Sequence, residues 1–570
     1  MQEPIYEYLK ITDLKDMLIK TKPMFENNIA YKIKIEKDKY YTITHLEARE
    51  MIDNLGTALI DMGLKGKRIA VIGENRYEWQ IAYLAVVCGT GTVVPLDKSL
   101  PENELLNLIE RSEVEAIFYS AKYEEVLKKA VLNGVGKLKH LICMDLKEHK
   151  EGIYSELELI EKGKKLAEQG NRKFIDEKID AEEMSIMLFT SGTTAASKVV
   201  ALSHRNICSN LMSLASILDI SEKDTMLSFL PLHHVFECTV GFLMALYKGV
   251  QVTFCDGLKH IVANMNEYQI TYMACVPAIY ENIYKNIMKK LQKQRTLEKI
   301  EESMIKARSL TMEEKKKEFQ EVHNMLGGKV RLLISGAAAL NNKVEQGYRD
   351  FGINLVQGYG LTETSPVIGI GNNKYYKVGS IGKAVPNVET KIEDANDEGI
   401  GELVVKGPNI MMGYYEDKKA TNAVLKDGWF YTGDLARIDE EGYIFICGRK
   451  KSVIVLKNGK NIFPEELEGL INRVEGVKES FIFERRNVED ENDIKIYAKI
   501  VYDKKIVEEA YKINNDKEIY TSINNQIKLI NKTLPPYKTI RGIILTEEPL
   551  IKTTTSKIKR QEEVKTIKWN

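Results

Sequence analysis

The sequence predicts an α/β protein with two stacked α/β subdomains, a region of short strands and a smaller α+β unit at the carboxyl terminus. Three observations lead to this fold class. The chain has 570 residues, of which 44% are hydrophobic, enough to bury more than one core. Strand and helix patterns alternate over its first half. After Pro408 the pattern changes to short strands separated by glycine turns.

The first subdomain is predicted from an alternation near the amino terminus. Its strands are 68–72, 92–95, 116–120 and 140–144, and its helices are 79–87, 102–109 and 123–130. This βαβ order is typical of a parallel sheet. The apolar run 184–189 predicts a further buried strand. The apolar stretch 81–96 is too short to span a bilayer, and two glycines divide it, so no transmembrane segment is predicted.

A second series of apolar strands predicts a second sheet of similar construction. Its members are 225–230, 252–255, 272–276 and 330–335. Between residues 284 and 327 the chain becomes rich in Lys and Glu at helical spacing, which predicts an inserted helical hairpin. A solvated helix pair is the favoured interpretation of this insertion, and contact with a membrane surface is the alternative.

Short strands and a mixed unit follow. The short strands are predicted at 401–405, 428–432, 443–447 and 453–456. The last unit is predicted to contain a helix at 465–471, strands at 481–483 and 494–501, and a helix at 519–534 that ends at two prolines. The polar segment Gly448-Arg449-Lys450-Lys451 lies between these two parts, and we place the domain boundary there.

Charge and cysteine content restrict the class of protein. Lys+Arg and Asp+Glu both number 82, so no overall field favours nucleic acid as a partner. The seven cysteines are scattered without a CxxC pair, and no signal-peptide pattern opens the sequence. We therefore expect a cytoplasmic protein, with peripheral association at the inner face of the membrane as an open alternative. The oligomeric state stays open, a dimer included.

Segment 190–198, which we call the phosphate loop, predicts polyphosphate binding. It reads Thr-Ser-Gly-Thr-Thr-Ala-Ala-Ser-Lys, and its candidate ligands are Thr190, Ser191, Gly192, Thr193, Thr194 and Lys198. Hydroxyls, backbone N–H groups and an ammonium can donate many charge-assisted hydrogen bonds to phosphate oxygens. It is not a Walker loop, because no second glycine precedes the lysine and Val199 follows it. An ordinary capped turn is the alternative.

Four further clusters carry candidate chemistry, and one of them is Gly448-Arg449. In segment 357–364, glycines on both sides of Tyr359 would let its ring lie flat against a ligand, and Glu363 offers a carboxylate suited to magnesium. Asp434 follows a strand-like run and could accept hydrogen bonds from a ribose diol. Ordinary surface turns are the alternative for both. Segment 552–560 is basic, and a disordered terminus is its alternative.

In this order along the chain, the clusters resemble the adenylate-forming (AMP-binding) superfamily of acyl-CoA synthetases, non-ribosomal adenylation domains and luciferases. The resemblance covers nearly the whole chain and includes segments 74–79 (Glu-Asn-Arg-Tyr-Glu-Trp), 231–234 (Pro-Leu-His-His) and 459–466. Within the superfamily the chain is most similar to long-chain fatty acid–CoA ligases, on segments 230–237 and 276–281 and on the helical insertion.

The resemblance implies both an architecture and a reaction. Residues 1–448 would form the adenylation domain, including a small β-barrel-like part, and residues 449–570 a small mobile domain with its hinge at Lys451. The enzyme would be an acid–thiol ligase that uses ATP, Mg2+ and coenzyme A. It would join a carboxylic acid, a long-chain fatty acid on this resemblance, to AMP with release of pyrophosphate, and then transfer the acyl group to coenzyme A.

The resemblance also assigns roles to residues. Lys557 would bridge the acid and the α-phosphate, and Glu363 would bind Mg2+. The phosphates would be held by Thr362, Lys198 and the other residues of the phosphate loop named above. The nucleoside would contact Tyr359, Gly336, Ala337, Ala338, Asp434 and Arg449. The acid would contact His234, Gly336 and Gly360.

Five positions depart from the family pattern. Ala195, Ser197 and Val199 stand where the phosphate loop usually has glycine, proline and glycine, and segment 551–556 has Ile and Ser where proline and glycine are usual. The lost glycine and proline predict weaker phosphate binding. Two alternative functions therefore stay open: a ligase that charges the phosphopantetheine of a carrier protein, and a homologue that binds nucleotide or lipid with weakened catalysis.

Overall fold

Strands and helices alternate over the amino-terminal part, as the sequence predicted. The computed structural model describes residues 1–190, 197–456, 460–486, 494–553 and 557–567. The first elements are α1 (Leu14–Phe25), β1 (Ile29–Glu36), β2 (Lys39–Thr44), α2 (His45–Asp61), β3 (Lys67–Ile72), α3 (Tyr77–Ala85), β4 (Gly91–Pro95), α4 (Glu102–Ser112), β5 (Ala116–Tyr119), α5 (Glu124–Leu132), β6 (His140–Cys143), β7 (Ile153–Ser155), α6 (Glu156–Glu168), β8 (Met184–Phe189), β9 (Val199–Ser203) and α7 (His204–Ala215).

The second subdomain follows the same principle. Its elements are β10 (Thr225–Ser228), α8 (Met244–Lys248), β11 (Gln251–Phe254), α9 (Ile261–Glu267), β12 (Tyr272–Cys275), α10 (Pro277–Leu291), α11 (Leu297–Ala307), α12 (Met312–Glu318), α13 (Gln320–Met325), β13 (Leu332–Ser335), α14 (Asn342–Asp350), β14 (Asn354–Gly360), β15 (Val367–Ile370) and β16 (Lys383–Ala384). The predicted helical hairpin at 284–327 is wrong in detail, because that region contains most of α10 and all of three further helices, α11 to α13.

Short antiparallel strands and a mixed unit complete the chain. The short-strand region contains β17 (Glu389–Glu393), β18 (Gly401–Lys406), β19 (Gly413–Tyr414), α15 (Lys418–Val424), β20 (Leu425–Lys426), β21 (Trp429–Ile438) and β22 (Ile444–Arg449). The last unit contains β23 (Ile454–Val455), β24 (Asn461–Ile462), α16 (Pro464–Ile471), β25 (Val477–Arg486), β26 (Ile494–Tyr502), α17 (Lys504–Tyr511), α18 (Asp516–Thr533), β27 (Ile540–Thr546) and α19 (Arg560–Lys565).

The first sheet is mixed rather than wholly parallel. Over the described residues its order is β19-β9-β8-β4-β3-β5-β6-β7. The strands from β8 to β7 are parallel, as predicted, but β9 is antiparallel to both β8 and β19. The reason is local: the phosphate loop connects β8 directly to β9, and so short a connection can only join antiparallel neighbours.

The second sheet has a parallel centre and antiparallel edges. Its order in the described chain is β16-β15-β14-β13-β12-β10-β11-β1-β2. The run from β14 to β1 is parallel, whereas β2, β15 and β16 are antiparallel to their neighbours. The carboxyl ends of the parallel strands therefore point to one edge, where ligands of α/β proteins bind.

Two of the helices beside the site begin at local signals. Ser203 forms a reciprocal capping box with Asn206 at the start of α7, immediately after β9. Pro277 is the first residue of α10, where its missing N–H has no helical partner to lose. Both helices therefore begin directly where a strand of one of the two sheets ends.

The carboxyl-terminal unit has a core of its own. Its buried residues, among them Ile462, Leu467, Ile500 and Ile523, form a cluster separate from the large cluster that joins the two sheets of the amino-terminal part. β25, β26 and β27 form its sheet. Across the described ranges, no helix combines the length and the apolar character needed to cross a membrane.

Candidate active site

The strands on either side of the phosphate loop form an antiparallel stem. Phe189 of β8 pairs with Val199 of β9, and the Thr190 N–H donates to the Lys198 carbonyl at 2.9 Å. We define the loop stem as Phe189, Thr190, Ser197 and Lys198. It places Thr190 beside Lys198 at the end of a strand. The other predicted loop ligands, Ser191, Gly192, Thr193 and Thr194, lie outside the described residues.

Tyr414 connects the lysine of the stem to the predicted magnesium ligand. β19 pairs with β9, with Tyr414 opposite Val200. The Lys198 Nζ lies 4.2 Å from the centre of the Tyr414 ring, and the Tyr414 hydroxyl donates to Glu363 Oε1 at 2.9 Å. Burial raises the pKa of Tyr414, so its hydroxyl keeps the proton that it donates. Sequence reasoning missed Tyr414, because no motif marks it.

A tight turn after β14 carries Thr362 and Glu363. The turn is a short 3-10 helix, Thr362–Thr364, and the Met411 N–H donates to the Glu363 carbonyl at 2.9 Å. A Cβ at Gly360 would lie 1.8 Å from the Pro366 carbonyl oxygen, so this close backbone approach requires glycine. The turn thus fixes both predicted functional side chains at the edge of the second sheet.

The donor set at Glu363 fits magnesium that is bound together with a polyphosphate. No group of three His, Cys, Asp or Glu side chains that could hold a metal ion occurs among the described residues. Mg2+ does not need such a group, because it commonly keeps waters and phosphate oxygens beside one or two carboxylates. A carboxylate has about four acceptor positions, so the bond from Tyr414 leaves Glu363 able to bind a hard cation.

Asp434 and Arg449 lie opposite each other on β21 and β22. The Arg449 Nε is 2.7 Å from Asp434 Oδ1, and the Tyr359 hydroxyl donates to Asp434 Oδ2. Asp434 is only 3% exposed, and this burial raises its pKa, while Arg449 opposes the effect. Three of the six predicted nucleoside ligands are thus brought together. Both carboxylate oxygens have protein partners, so a ribose would share their remaining lone pairs.

Segment 336–338 follows β13 at the same edge. The Gly336 N–H donates to the Cys275 carbonyl at 3.1 Å, and a Cβ at Gly336 would lie 2.9 Å from the Phe236 ring. Ala337 has a φ of 70°, a left-handed conformation that is unfavourable for a residue with a Cβ. Such backbone outliers cluster at ligand-binding sites, and the contact of this segment with the nucleoside stays a prediction.

His234 lies in the loop between β10 and a π-helix, Glu237–Leu243. Its pKa is lowered to about 4, mainly by burial and also by the charges of His233 and Lys557, so the imidazole is neutral near pH 7. The Phe236 N–H donates to His234 Nδ1 at 3.3 Å. The site therefore contains a neutral, half-buried imidazole within range of the Lys557 charge.

A buried network anchors the loop that carries His234. The Ser228 hydroxyl donates to Glu237 Oε1 at 2.7 Å, and Asn75 Nδ2 donates to Ser228 Oγ at 3.0 Å and to the Leu230 carbonyl at 2.7 Å. Burial raises the pKa of Glu237 to about 8, so this carboxyl is protonated at neutral pH. Sequence reasoning singled out the segments that contain Asn75 and Glu237, but not the network.

Lys557 reaches this site from the carboxyl-terminal unit. Lys552 and Ile558 form an isolated antiparallel bridge, and the Thr553 N–H donates to the Lys557 carbonyl at 2.9 Å. The pKa of Lys557 is lowered, first by desolvation and then by Arg449, whereas the charges of Asp434 and Glu363 oppose the effect. The residue is exposed, and the charges of Arg449, Asp434 and Glu363 act on its ammonium.

Lys451, the predicted hinge residue, differs in its contacts from its neighbour Lys450. Lys450 Nζ forms an ion pair with Glu402 Oε2 of β18 at 2.7 Å. Lys451 is exposed and lies in the short 3-10 turn Lys450–Ser452 between β22 and β23. The turn connects the short-strand region to the carboxyl-terminal unit.

Comparison with known proteins identifies related chains. Residues 23–415 match the family model of AMP-binding enzymes, which confirms the resemblance predicted from the motifs. Fatty acyl-CoA synthetase B of Dictyostelium discoideum is 30% identical over 479 residues, which cover 77% of this chain and 69% of that protein. Long-chain-fatty-acid–CoA ligase 1 of Homo sapiens is 28% identical over 486 residues, which cover 78% of this chain and 68% of that protein.

Solved structures share the fold. An O-succinylbenzoate coenzyme A synthetase from Bacillus subtilis, solved in complex with ATP and a magnesium ion, aligns with a TM-score of 0.73 at 20% identity. The alignment covers 96% of this chain and 99% of that one. This likeness confirms the predicted fold class, with its large amino-terminal part and smaller carboxyl-terminal part.

Proposed function

Because the chain belongs to the AMP-binding enzyme family, we propose that it uses ATP and Mg2+ to activate a carboxylic acid as an acyl-adenylate and then transfers the acyl group to coenzyme A. The observation that carries the proposal is the position of Lys557. The charges of Arg449, Asp434 and Glu363 act on its ammonium, and its own charge helps to lower the pKa of His234. A cation in this place would reduce the repulsion between the two anions that react, the acid carboxylate and the α-phosphate of ATP.

The reaction proceeds in two displacements. A carboxylate oxygen attacks the α-phosphorus of ATP, the bond to the bridging oxygen breaks, and pyrophosphate leaves with the electron pair. The thiolate of coenzyme A then attacks the acyl carbon, and AMP leaves as its phosphate anion after the thiol has lost its proton. Positioning and cationic stabilisation supply most of the catalysis of such phosphoryl chemistry. At 4 Å and an effective dielectric near 20, one cation contributes about 4 kcal/mol.

Each residue of the site has its own role in binding the substrates or in stabilising their charge. Lys557 bridges the acid carboxylate and the α-phosphate, and Thr362 contacts the same phosphate. Lys198 and the hydroxyls of the phosphate loop hold the β- and γ-phosphates, and Glu363 would hold Mg2+. When bound, Mg2+ would supply positive charge that offsets the negative charge of the phosphates. The nucleoside is bound by Tyr359, Asp434, Arg449, Gly336, Ala337 and Ala338.

The preferred acid is a long-chain fatty acid in this proposal. Curated relatives that match most of the chain carry the names fatty acyl-CoA synthetase and long-chain-fatty-acid–CoA ligase. Neutral His234 and the ring of Phe236 beside Gly336 would give the acyl chain a weakly polar entrance. Gly360 and Gly336 keep the backbone close to the reacting carboxylate.

The two half-reactions need different positions of Lys557. We place the domain boundary after residue 448 and the hinge at Lys451, so that the part of the chain that follows the hinge rotates between the steps, while Arg449 stays paired with Asp434 on β22. Lys451 is exposed, and the core of the unit is separate, so a rotation there would disturb little packing.

Acid-dependent ATP–pyrophosphate exchange, measured with saturated acids of increasing length, tests the proposal. Exchange is expected to require an acid and Mg2+ and to be fastest with long chains. A second assay supplies either coenzyme A or a phosphopantetheine carrier protein as the acceptor. Transfer to the carrier alone would favour a carrier-protein ligase, and nucleotide binding without exchange would identify a homologue that has lost turnover.

A further inference from the structure

Arg111, in the last turn of α4, contacts both strands of the loop stem. Its Nη1 donates to Ser197 Oγ at 3.0 Å and its Nη2 to the Ser197 carbonyl at 2.7 Å. The guanidinium carbon lies 5.6 Å from the centre of the Phe189 ring, within the range of a cation–π interaction. One side chain from a distant part of the sequence therefore joins the residue before the phosphate loop to the residue before Lys198.

The end of α4 is itself tied to the strand that follows the loop. Arg68 of β3 donates to the Ser112 carbonyl at 3.1 Å and also to the Tyr415 hydroxyl. The Tyr415 N–H donates to the Val199 carbonyl at 2.8 Å. A cation in the last turn is also stabilised by the carbonyl end of the helix. The end of α4, which carries Arg111, is thus held in place beside the loop stem.

The contact falls on the residue directly before Lys198. This residue is Ser197. A proline there would restrict the backbone before the lysine, and a serine does not. Serine supplies a hydroxyl that proline lacks, and Arg111 binds this hydroxyl together with the carbonyl of the same residue. The hydrogen bonds from Arg111 thus restrain the backbone at residue 197, which the ring of a proline would restrain covalently.

We propose that Arg111 is a positioning residue for ATP, which holds Ser197, and through it Lys198, in the orientation that binds the β- and γ-phosphates. The inference rests on the proposed function, because it assigns the same loop to ATP. A planar guanidinium with two donors suits this role better than a lysine, since it fixes a direction as well as a distance.

Titration calorimetry of the full chain with MgATP, without acid, tests the inference. Four proteins form a double-mutant cycle: unsubstituted, Arg111→Ala, Ser197→Pro and the double variant. We expect Arg111→Ala to raise the Kd for ATP about tenfold, the factor that corresponds to about 1.4 kcal/mol. With Ser197→Pro already present, the same change is expected to raise the Kd less than about twofold, because proline restrains the backbone by itself. Arg172→Ala, which removes an exposed arginine paired with Asp176 at 2.7 Å, is the matched control and leaves the Kd unchanged.

Steady-state kinetics add a second readout. Arg111→Ala is expected to raise KM for ATP while leaving KM for the acid unchanged, a split that a general loss of folding does not produce. Thermal melting checks the fold of each variant. If Arg111→Ala melts early, Arg111→Lys takes its place in the cycle, with an expected intermediate Kd because lysine cannot donate from two fixed nitrogens.

Two results would overturn the inference. One is a Kd for ATP that is unchanged in Arg111→Ala. The other is an equal rise with and without Ser197→Pro, which would assign Arg111 to a direct phosphate contact instead of loop positioning. An unsubstituted protein that binds ATP but shows no acid-dependent exchange would refute the proposed function, and the calorimetric cycle would still decide the role of Arg111.

Discussion

Two cations approach the carboxylate of Asp434, and the protein holds them in different ways. Arg449 lies on β22 in register with Asp434, and its Nε is 2.7 Å from Oδ1. Lys557 comes from the carboxyl-terminal unit, and within the described part of the chain its Nζ forms no ion pair. Arg449 is therefore part of a fixed binding surface, whereas Lys557 can leave without breaking an ion pair to a described residue.

The segments on either side of Lys557 are nevertheless firmly anchored within their own unit. Arg560 Nη2 lies 2.7 Å from Glu468 Oε2, and the Ile551 N–H donates to Glu563 Oε2 at 2.8 Å. Lys557 should thus move with the whole unit and not as a flexible tail. The basic, disordered terminus that the sequence left open is wrong for the described residues of this segment. The site therefore combines a fixed surface, which carries Asp434 and Arg449, with a cation that moves together with a rigid unit.

Removal of the Lys557 ammonium is the strongest test of this contrast. Lys557→Ala is expected to slow adenylation roughly 10²- to 10³-fold, the loss typical of one preorganised group that stabilises transition-state charge. Transfer to coenzyme A from supplied acyl-adenylate should keep most of its rate, because that step does not use this amine. Pyrophosphate exchange and single-turnover thioester formation measure the two steps. Equal losses in both would contradict the assigned role.

Restriction of the hinge should slow the thioester step and spare adenylation, the opposite of the effect expected for Lys557→Ala. Lys451 lies in a 3-10 turn, whose φ values proline can adopt, so Lys451→Pro fixes φ at residue 451 in the range that the turn uses. Proline prevents a large change of φ, and we expect thioester formation to fall about tenfold or more while pyrophosphate exchange persists. Lys450→Ala, which removes the ion pair with Glu402 without fixing a dihedral angle, is the control. If Lys451→Pro slows exchange and spares the thioester step, the hinge is misplaced.

The pH dependence of adenylation distinguishes the two cations. The pKa of Lys557 is lowered from 10.5 by desolvation, so its charge is lost as pH rises through a value below 10.5. The exchange rate should therefore fall on the alkaline side. In Lys557→Arg this alkaline fall should disappear or move upward, because arginine stays charged, even if the maximal rate is lower. An identical alkaline fall in both proteins would assign the titration to another group.

Much of the fold and of the candidate site could be predicted from the sequence, because the signals for these parts are local. Apolar runs located the parallel strands of both sheets, and ordered motifs located Asp434, Arg449, Glu363 and Lys557. The missed groups depend on contacts between distant segments. Tyr414 is 51 residues from Glu363, and Arg111 is 86 residues from Ser197. Neither the spacing nor the residue type of an isolated tyrosine or arginine indicates such a partner.

The same limit applies to the sheets. β1 joins the second sheet through Tyr31, which lies opposite Val252 of β11, and no pattern near residue 31 indicates that partner. The antiparallel β9 follows from the short phosphate loop, a constraint that strand periodicity does not contain. Periodicity predicts that a strand exists, whereas its neighbours are decided by the packing of the whole chain.

The smallest expected effect concerns the exposed contact that joins the two parts of the molecule. Lys285 of α10 lies 2.9 Å from Glu475, in the turn after α16, and both side chains are about half exposed. Exposed ion pairs contribute up to about 1 kcal/mol, so Lys285→Ala should slow adenylation less than about fivefold and should not slow the thioester step. Lys289→Ala, one turn further along the same helix, is the matched control. Added salt should reduce the difference between the unsubstituted protein and Lys285→Ala, because screening weakens an exposed ion pair. A large loss in Lys285→Ala would instead mean that this surface contact, and not the hinge, decides where the carboxyl-terminal unit rests.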